Sequence, residues 1–233
     1  MIFHNEAADS IGRTVCEMVS IKALSGYEGP MADYVQARLR AMGLDVDRDD
    51  EDNVSAVIEP RTAGKAAENT IHLSGHTDTV VPVEGWTTDP WNATIIGSGD
   101  ERKIVGLGAS DMKSGLGIML HLAEHFAKNR PERLRVIVTF TVCEEMPAKN
   151  KRNGVNRMVV KHPGRWAITT EASSDTTSPT IALGCQGHAV VKLTLPGKSA
   201  HSARPDRGLN AISAAGKIAL RVDELNAGYK DIP

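Results

Sequence analysis

Six side chains able to hold a cation or move a proton stand where apolar runs of this sequence end. His76 and Asp78 follow "IHLSG", Glu144 and Glu145 follow "VIVTFTV", Glu171 follows "WAITT", and Asp111 precedes the apolar-faced stretch "LGIMLHLAEHFAKN". Carboxylate and imidazole donors without a thiolate suit zinc, with manganese or cobalt as substitutes. An acid placed directly after a buried strand is costly unless it is paired or holds a cation. Each residue alone has a plainer reading: Asp111 as a helix N-cap, His76 as a structural imidazole, Glu144 and Glu145 as a solvated pair. The joint placement carries the metal reading, because ligands of open α/β sheets bind beyond the carboxyl ends of the strands.

The elements that must position these groups alternate between two periodicities. Apolar spacing predicts a helix over 10–24 with Ser10 as its N-cap. A second is predicted over 29–43, with Pro30 in the first turn and Gly43 at the C-terminal cap. Further helices are predicted over 116–129 and over "GVNRMVVKH". Strands are expected over 53–60, 70–75, 133–142 and 165–170, the last two as runs covered on both faces. The stretch "VEGWTTDPWNATIIGSGDERK" reads as a loop. This alternation indicates an α/β sandwich. After about residue 180 the pattern changes to a half-exposed strand in "HAVVKLTLPG" and an amphipathic helix over 208–227. A domain boundary is therefore expected within 180–186, with residues 1–182 as one domain and 183–233 as the start of another.

Composition excludes several classes of partner. The 233 residues carry a formal net charge of −2, with basic residues scattered except for "KNKR" at 149–152, which reads as a solvated loop. That gives no electrostatic case for nucleic acid or an anionic membrane. No apolar run approaches a membrane span, and "MIFHNEAADS" lacks the regions of a signal peptide. Cys16, Cys143 and Cys185 form no CxxC pair, so reduced thiols and a cytoplasmic setting are expected. Cys143, beside acids, makes a poor nucleophile. Glycines before a helix in "GLGASDMKSG" fall out of register with G-x-G-x-x-G, which weighs against a nucleotide binder.

Five stretches in order, "SGHTDTV", "GLGASDMKSG", "TFTVCEEMP", "TTEAS" and "GKSAHSARPDRGLNAI", resemble the metal-site and lid motifs of the M20 metallopeptidase family. The likeness runs over about residues 10–227 and includes its acetylornithine deacetylase, succinyl-diaminopimelate desuccinylase and carboxypeptidase G2-like branches. It implies a three-layer zinc-peptidase-like α/β domain, then the beginning of an α+β lid and dimerisation domain. It implies two zinc ions, with cobalt or manganese as substitutes. His76 and Glu171 would hold the first ion and Glu145 the second, with Asp111 between them; Asp78 would orient His76. Glu144 would be the unligated general base, His201 would stabilise the oxyanion, and Asn210 would contact substrate. The implied reaction is hydrolysis of the amide of an N-acyl amino acid or small peptide, by a homodimer joined through the lid.

The sequence departs from the family at three places. Leu107 stands where arginine is common. "EEMPAKNKRNGVN" replaces a short Gly-rich continuation. The histidine that completes the ligand set in the family is expected after the lid, and this chain stops within it. Among His4, His72, His76, His121, His125, His162, His188 and His201 no substitute stands out. His121 and His125 share a helix face but read as surface positions. The sheet is accordingly expected to lack its C-terminal strands. The competing reading is an incomplete module that binds metal or a partner without turnover. Retention of Glu144 argues for the enzyme, since a binding module needs no free base.

Overall fold

A computed structural model describes residues 5–62, 69–99, 102–146, 148, 153–172, 181–182 and 191–229. The basic cluster at 149–152, Cys185, His4 and His188 lie outside these residues. The chain divides into two compact units, Met1–Ile181 and Ala182–Pro233.

The first unit is organised around β6 (Arg135–Thr141), whose β-branched run is buried from Val136 onward. It pairs antiparallel with β2 (Val54–Ile58), which pairs antiparallel with β1 (Val46–Arg48). On its other side it pairs parallel with β3 (Thr70–His76), and β3 pairs parallel with β7 (Trp166–Thr169). The order is therefore β1-β2-β6-β3-β7. Side chains alternate across a strand, so register decides which residues share a face. Phe140 and Val138 lie opposite Val54 and Ala56 on one side, and opposite Gly75 and Leu73 on the other. All but Gly75 belong to the apolar core beneath α1 (Asn5–Val19), α2 (Gly29–Ala41) and α3 (Gly115–Lys128). Gly75 is required there: a Cβ would stand 2.6 Å from the Met112 methyl carbon and 2.8 Å from a Leu116 methyl.

The reverse face carries Ser55, His72, Ser74, Thr139 and Thr141. His72 Nε2 lies 2.9 Å from Thr139 Oγ1, and His162 Nε2 lies 3.0 Å from Ser55 Oγ. His162 follows α4 (Gly154–Lys161), which packs on β6 and supplies the third layer. The structure is thus the expected α/β sandwich with a central mixed sheet.

Several local expectations are corrected. The first helix runs through Ser10 and stops at Val19, because Leu24 bridges Thr79 and pulls the following residues into extended backbone. The 165–170 strand is exposed at all its assigned residues, since among the described residues it has a neighbour on one side only. The Pro/Gly/Trp loop contains the start of a hairpin of β4 (Thr94–Ile96) and β5 (Lys103–Val105). The second unit contains α5 (Ala211–Tyr229) and a Lys198–Leu209 bridge, whereas residues 191–197 form no strand. None of residues 191–225 is buried. No described helix is long and apolar enough to cross a membrane.

Candidate metal centre

The parallel register of β3 and β6 brings their carboxyl ends together, with His76 opposite Thr141. Thr77 continues the pairing through its N–H and hydroxyl, both donated to the Thr141 carbonyl at 2.8 and 2.9 Å. His76 is 2% exposed and its orientation is set locally. Its Nδ1 lies 3.0 Å from the Asp78 carbonyl oxygen and 3.5 Å from Asp78 Oδ1, so the backbone oxygen is the nearer partner. That leaves Nε2 facing outward, 2.9 Å from Asp111 Oδ1, 3.6 Å from Glu171 Oε1 and 4.0 Å from Glu144 Oε2.

Asp111 reaches this point from a tight turn ahead of α3, in which it is non-helical at φ −110° and ψ 101°. Two glycines make the approach possible. Gly108 has φ +73°, and a Cβ there would meet Thr79 Cγ2 at 2.5 Å; one on Gly115 would come within 2.1 Å of the Thr170 carbonyl. The second contact sets the start of α3 against the end of β7, so Asp111 and Glu171 arrive side by side. Ligand atoms of His76, Asp111 and Glu171 all lie within 4.8 Å of one another, the one such group among the described residues. Glu145 is outside that group.

Asp78 is the buried hub. It accepts from Ser25 Oγ at 2.7 Å and from the N–H groups of Glu144 and Glu145 at 3.1 Å each. Burial works to raise its carboxyl pKa, but hydrogen bonds from His76, Ser25 and the Glu144 amide outweigh this and hold it below the usual range.

The surrounding groups show what the donor set lacks. Burial opposes charge on His76, yet Asp78, Asp111 and Glu144 drive its pKa up to about 10. Burial first and the Asp111 charge second push Glu145 up to about 7, and burial followed by a hydrogen bond to Asp111 raises Glu171. Clustered acids gain most from a positive charge placed among them, and an imidazole with Nδ1 held by a carbonyl and Nε2 among carboxylates fits a divalent cation.

Other predicted and unpredicted residues have clear places. Asn210 Oδ1 caps α5, accepting from Ile212 and Ser213 at 2.9 and 3.1 Å, and His201 Nδ1 accepts from Ala203 N–H at 3.2 Å. Both belong to the second unit. Sequence reasoning missed Ser25, Glu28, Asn53 and Lys113. Lys113 is buried, with Nζ donating to the Ile21 and Leu107 carbonyls at 3.3 Å each, and burial lowers its pKa to about 8. Its position two residues after Asp111 was the only available signal, and nothing in that spacing foretells burial. The Cys143 thiol is pushed up to about 11 by burial and by its hydrogen bond to Glu28, which leaves it unreactive.

Residues 72–221 match the model of peptidase family M20/M25/M40. A Mycobacterium tuberculosis protein named as a succinyl-diaminopimelate desuccinylase is 31% identical over 217 residues, covering 92% of this chain and 56% of the relative. Succinyl-diaminopimelate desuccinylase 2 of Shewanella loihica is 31% identical over 211 residues, covering 86% and 53%. The chain therefore spans just over half the length of these curated relatives. A tripeptidase structure from Staphylococcus aureus shares the fold, with a TM-score of 0.61 at 21% identity over 91% of this chain and 56% of that one.

Proposed function

The chain belongs to peptidase family M20/M25/M40, and from that premise we propose a metal-dependent hydrolase that cleaves the amide bond of an N-acyl amino acid or small peptide. The observation that supports it is the convergence of His76, Asp111 and Glu171 within 4.8 Å, beside a pair of glutamates at the end of β6. We assign residues 1–182 as the catalytic domain and 183–233 as the beginning of a lid through which two copies associate.

Zinc is the assigned ion, two per site, with cobalt or manganese as substitutes. His76 and Glu171 would hold one and Glu145 the other, with Asp111 shared between them. When bound, such ions supply Lewis-acid activation of water and of the amide carbonyl. Asp78 keeps His76 turned toward the site through its backbone carbonyl while fixing the amides of Glu144 and Glu145. Glu144, with its side chain 43% exposed, has room to act as general base, taking a proton from the attacking water and delivering it to the leaving amine. His201 is assigned to the oxyanion and Asn210 to substrate. Free thiols at Cys16 and Cys143 suit a reducing, cytoplasmic setting.

The names of the curated relatives make N-succinyl amino acids the first substrate class to test. Hydrolysis of N-succinyl and N-acetyl amino acids by the zinc-loaded chain, beside Glu144→Gln, checks the assignment. Turnover lost in the variant with zinc content unchanged is the expected result. Zinc uptake without turnover by the unaltered chain would replace the enzyme with a metal-binding module.

A further inference from the structure

Beyond Thr141 the chain leaves the sheet, and its next four amides are satisfied in an unusual way. Val142 N–H donates to Asn53 Oδ1 at 3.1 Å and Cys143 N–H to Glu28 Oε1 at 3.2 Å. Glu144 and Glu145 then donate to the two oxygens of Asp78 at 3.1 Å each. Every donor in this run is met by a side chain, and the three side chains come from separate segments 66–115 residues away in sequence.

Two of these three are not among the groups assigned to chemistry above. Glu28 and Asn53 are fully buried. Glu28 Oε1 also accepts from Gly26 N–H at 2.7 Å and from the Cys143 thiol at 3.3 Å, so one oxygen ties the Ser25 loop to the β6 exit. Asn53 is itself held, its Nδ2 donating to both oxygens of Asp49 at 3.1 and 2.9 Å. Gly154 leaves the space for this contact, since a Cβ there would fall 1.8 Å from Asn53 Oδ1. Cys143 adopts φ +55°, a left-handed turn that a side-chain-bearing residue takes only when its surroundings impose it.

We propose that Glu28 and Asn53 are positioning residues, forming with Asp78 a clamp on the backbone of residues 142–145 that aims Glu144 and Glu145 into the metal centre. The proposal deepens the hydrolase reading and rests on it for the role of the glutamates. The clamp itself can be measured without metal. Charge-assisted acceptors hold amides more strongly than neutral ones. Glu28→Gln keeps the shape and removes the charge; Asn53→Ala removes the acceptor at Val142.

The test is residue-resolved amide hydrogen exchange on the 233-residue chain, followed by cobalt(II) absorption. Exchange at Cys143–Glu145 in Glu28→Gln, and at Val142 in Asn53→Ala, should quicken about 10- to 100-fold, with Leu73 and Val138 unchanged. The cobalt band of each variant should shift or weaken, with roughly tenfold lower affinity. Unchanged exchange at these amides overturns the proposal, as does a loss spread equally through β3 and β6. Faster exchange with the cobalt spectrum of the unaltered chain also overturns it, because the clamp would then aim nothing. If Asn53→Ala does not fold, Glu28→Gln decides alone. If the unaltered chain takes up no cobalt, the hydrolase reading fails and the exchange arm still decides whether the clamp exists.

Discussion

On the helix-covered face of the sheet, Val136, Val138 and Phe140 of β6 pack with Val54, Ala56, Ile58 and Leu73 under three helices. On the reverse face the same strands present Ile137, Thr139 and Thr141 beside Ser55, His72 and Ser74, and that row ends at His76. Apolar side chains need shape alone, so the first face stores stability. Apart from Ile137, the second is built from polar groups that each need a partner, and where the strands end those partners become carboxylates. Alternation along one strand thus separates folding from chemistry by a single residue step.

Truncation on the helix face should have the largest effect. Phe140→Ala should cost about 3–5 kcal/mol in urea unfolding, the usual range for a buried phenylalanine. A loss below that of Thr139→Val would break the contrast between the faces. At the chemical end, His76→Ala should lower zinc affinity by more than the roughly 100-fold that bounds loss of an outer partner, with a smaller change in unfolding midpoint. Asp78→Asn leaves the backbone carbonyl that orients His76 but weakens the acceptor for the Glu144 and Glu145 amides, and should lower zinc affinity by about 10- to 100-fold by calorimetric titration. An effect equal to that of His76→Ala would mean Asp78 is more than an orienting group. Thr139→Val should cost about 1–3 kcal/mol, because it leaves buried His72 without its hydroxyl partner.

The smallest effect sharpens the comparison through pH. Burial lowers the pKa of His72, and the neighbouring His162 lowers it further; burial, then Lys161, lowers that of His162, with Arg135 adding to this and Asp47 opposing it. Unfolded chains therefore take up these protons first as pH falls. The stability that these two histidines contribute is greatest above about pH 6.5 and declines below it, until the folded-state imidazoles are protonated too. The slope from each is at most about 1.4 kcal/mol per pH unit. Urea unfolding of His162→Gln should show a shallower decline between pH 6.5 and 5. An identical slope would remove His162 from the account.

Much of this was legible because local patterns and tertiary demands agree. The β-branched run of β6 and the apolar run of β3 appear at nearly their expected bounds, as do α2, with Pro30 in its first turn and Gly43 following its end, and α3. His76, Asp111 and Glu171 were recognisable as acids and an imidazole beside strand or helix ends, and the structure brings them together. The misreadings fall where distant contacts override periodicity. Leu24 leaves the helical pattern for its bridge to Thr79, and β7 reads as a covered strand from its composition while only its pairing on β3 reveals exposure. No motif singled out Glu28, and Asn53 stood only as the first residue of the strand expected over 53–60, because nothing local records that each meets an amide 115 or 89 residues away.

The amino-acid sequence by itself determined which elements form and which donors stand at their ends, because helix and strand periodicity and strand-end acids are local properties. Tertiary structure alone decided which donors meet and what holds the Glu144–Glu145 turn. Those outcomes depend on strand register and on close approaches permitted at Gly75, Gly108, Gly115 and Gly154, where a single added carbon would collide. Such distances arise only when segments far apart in the chain are packed together.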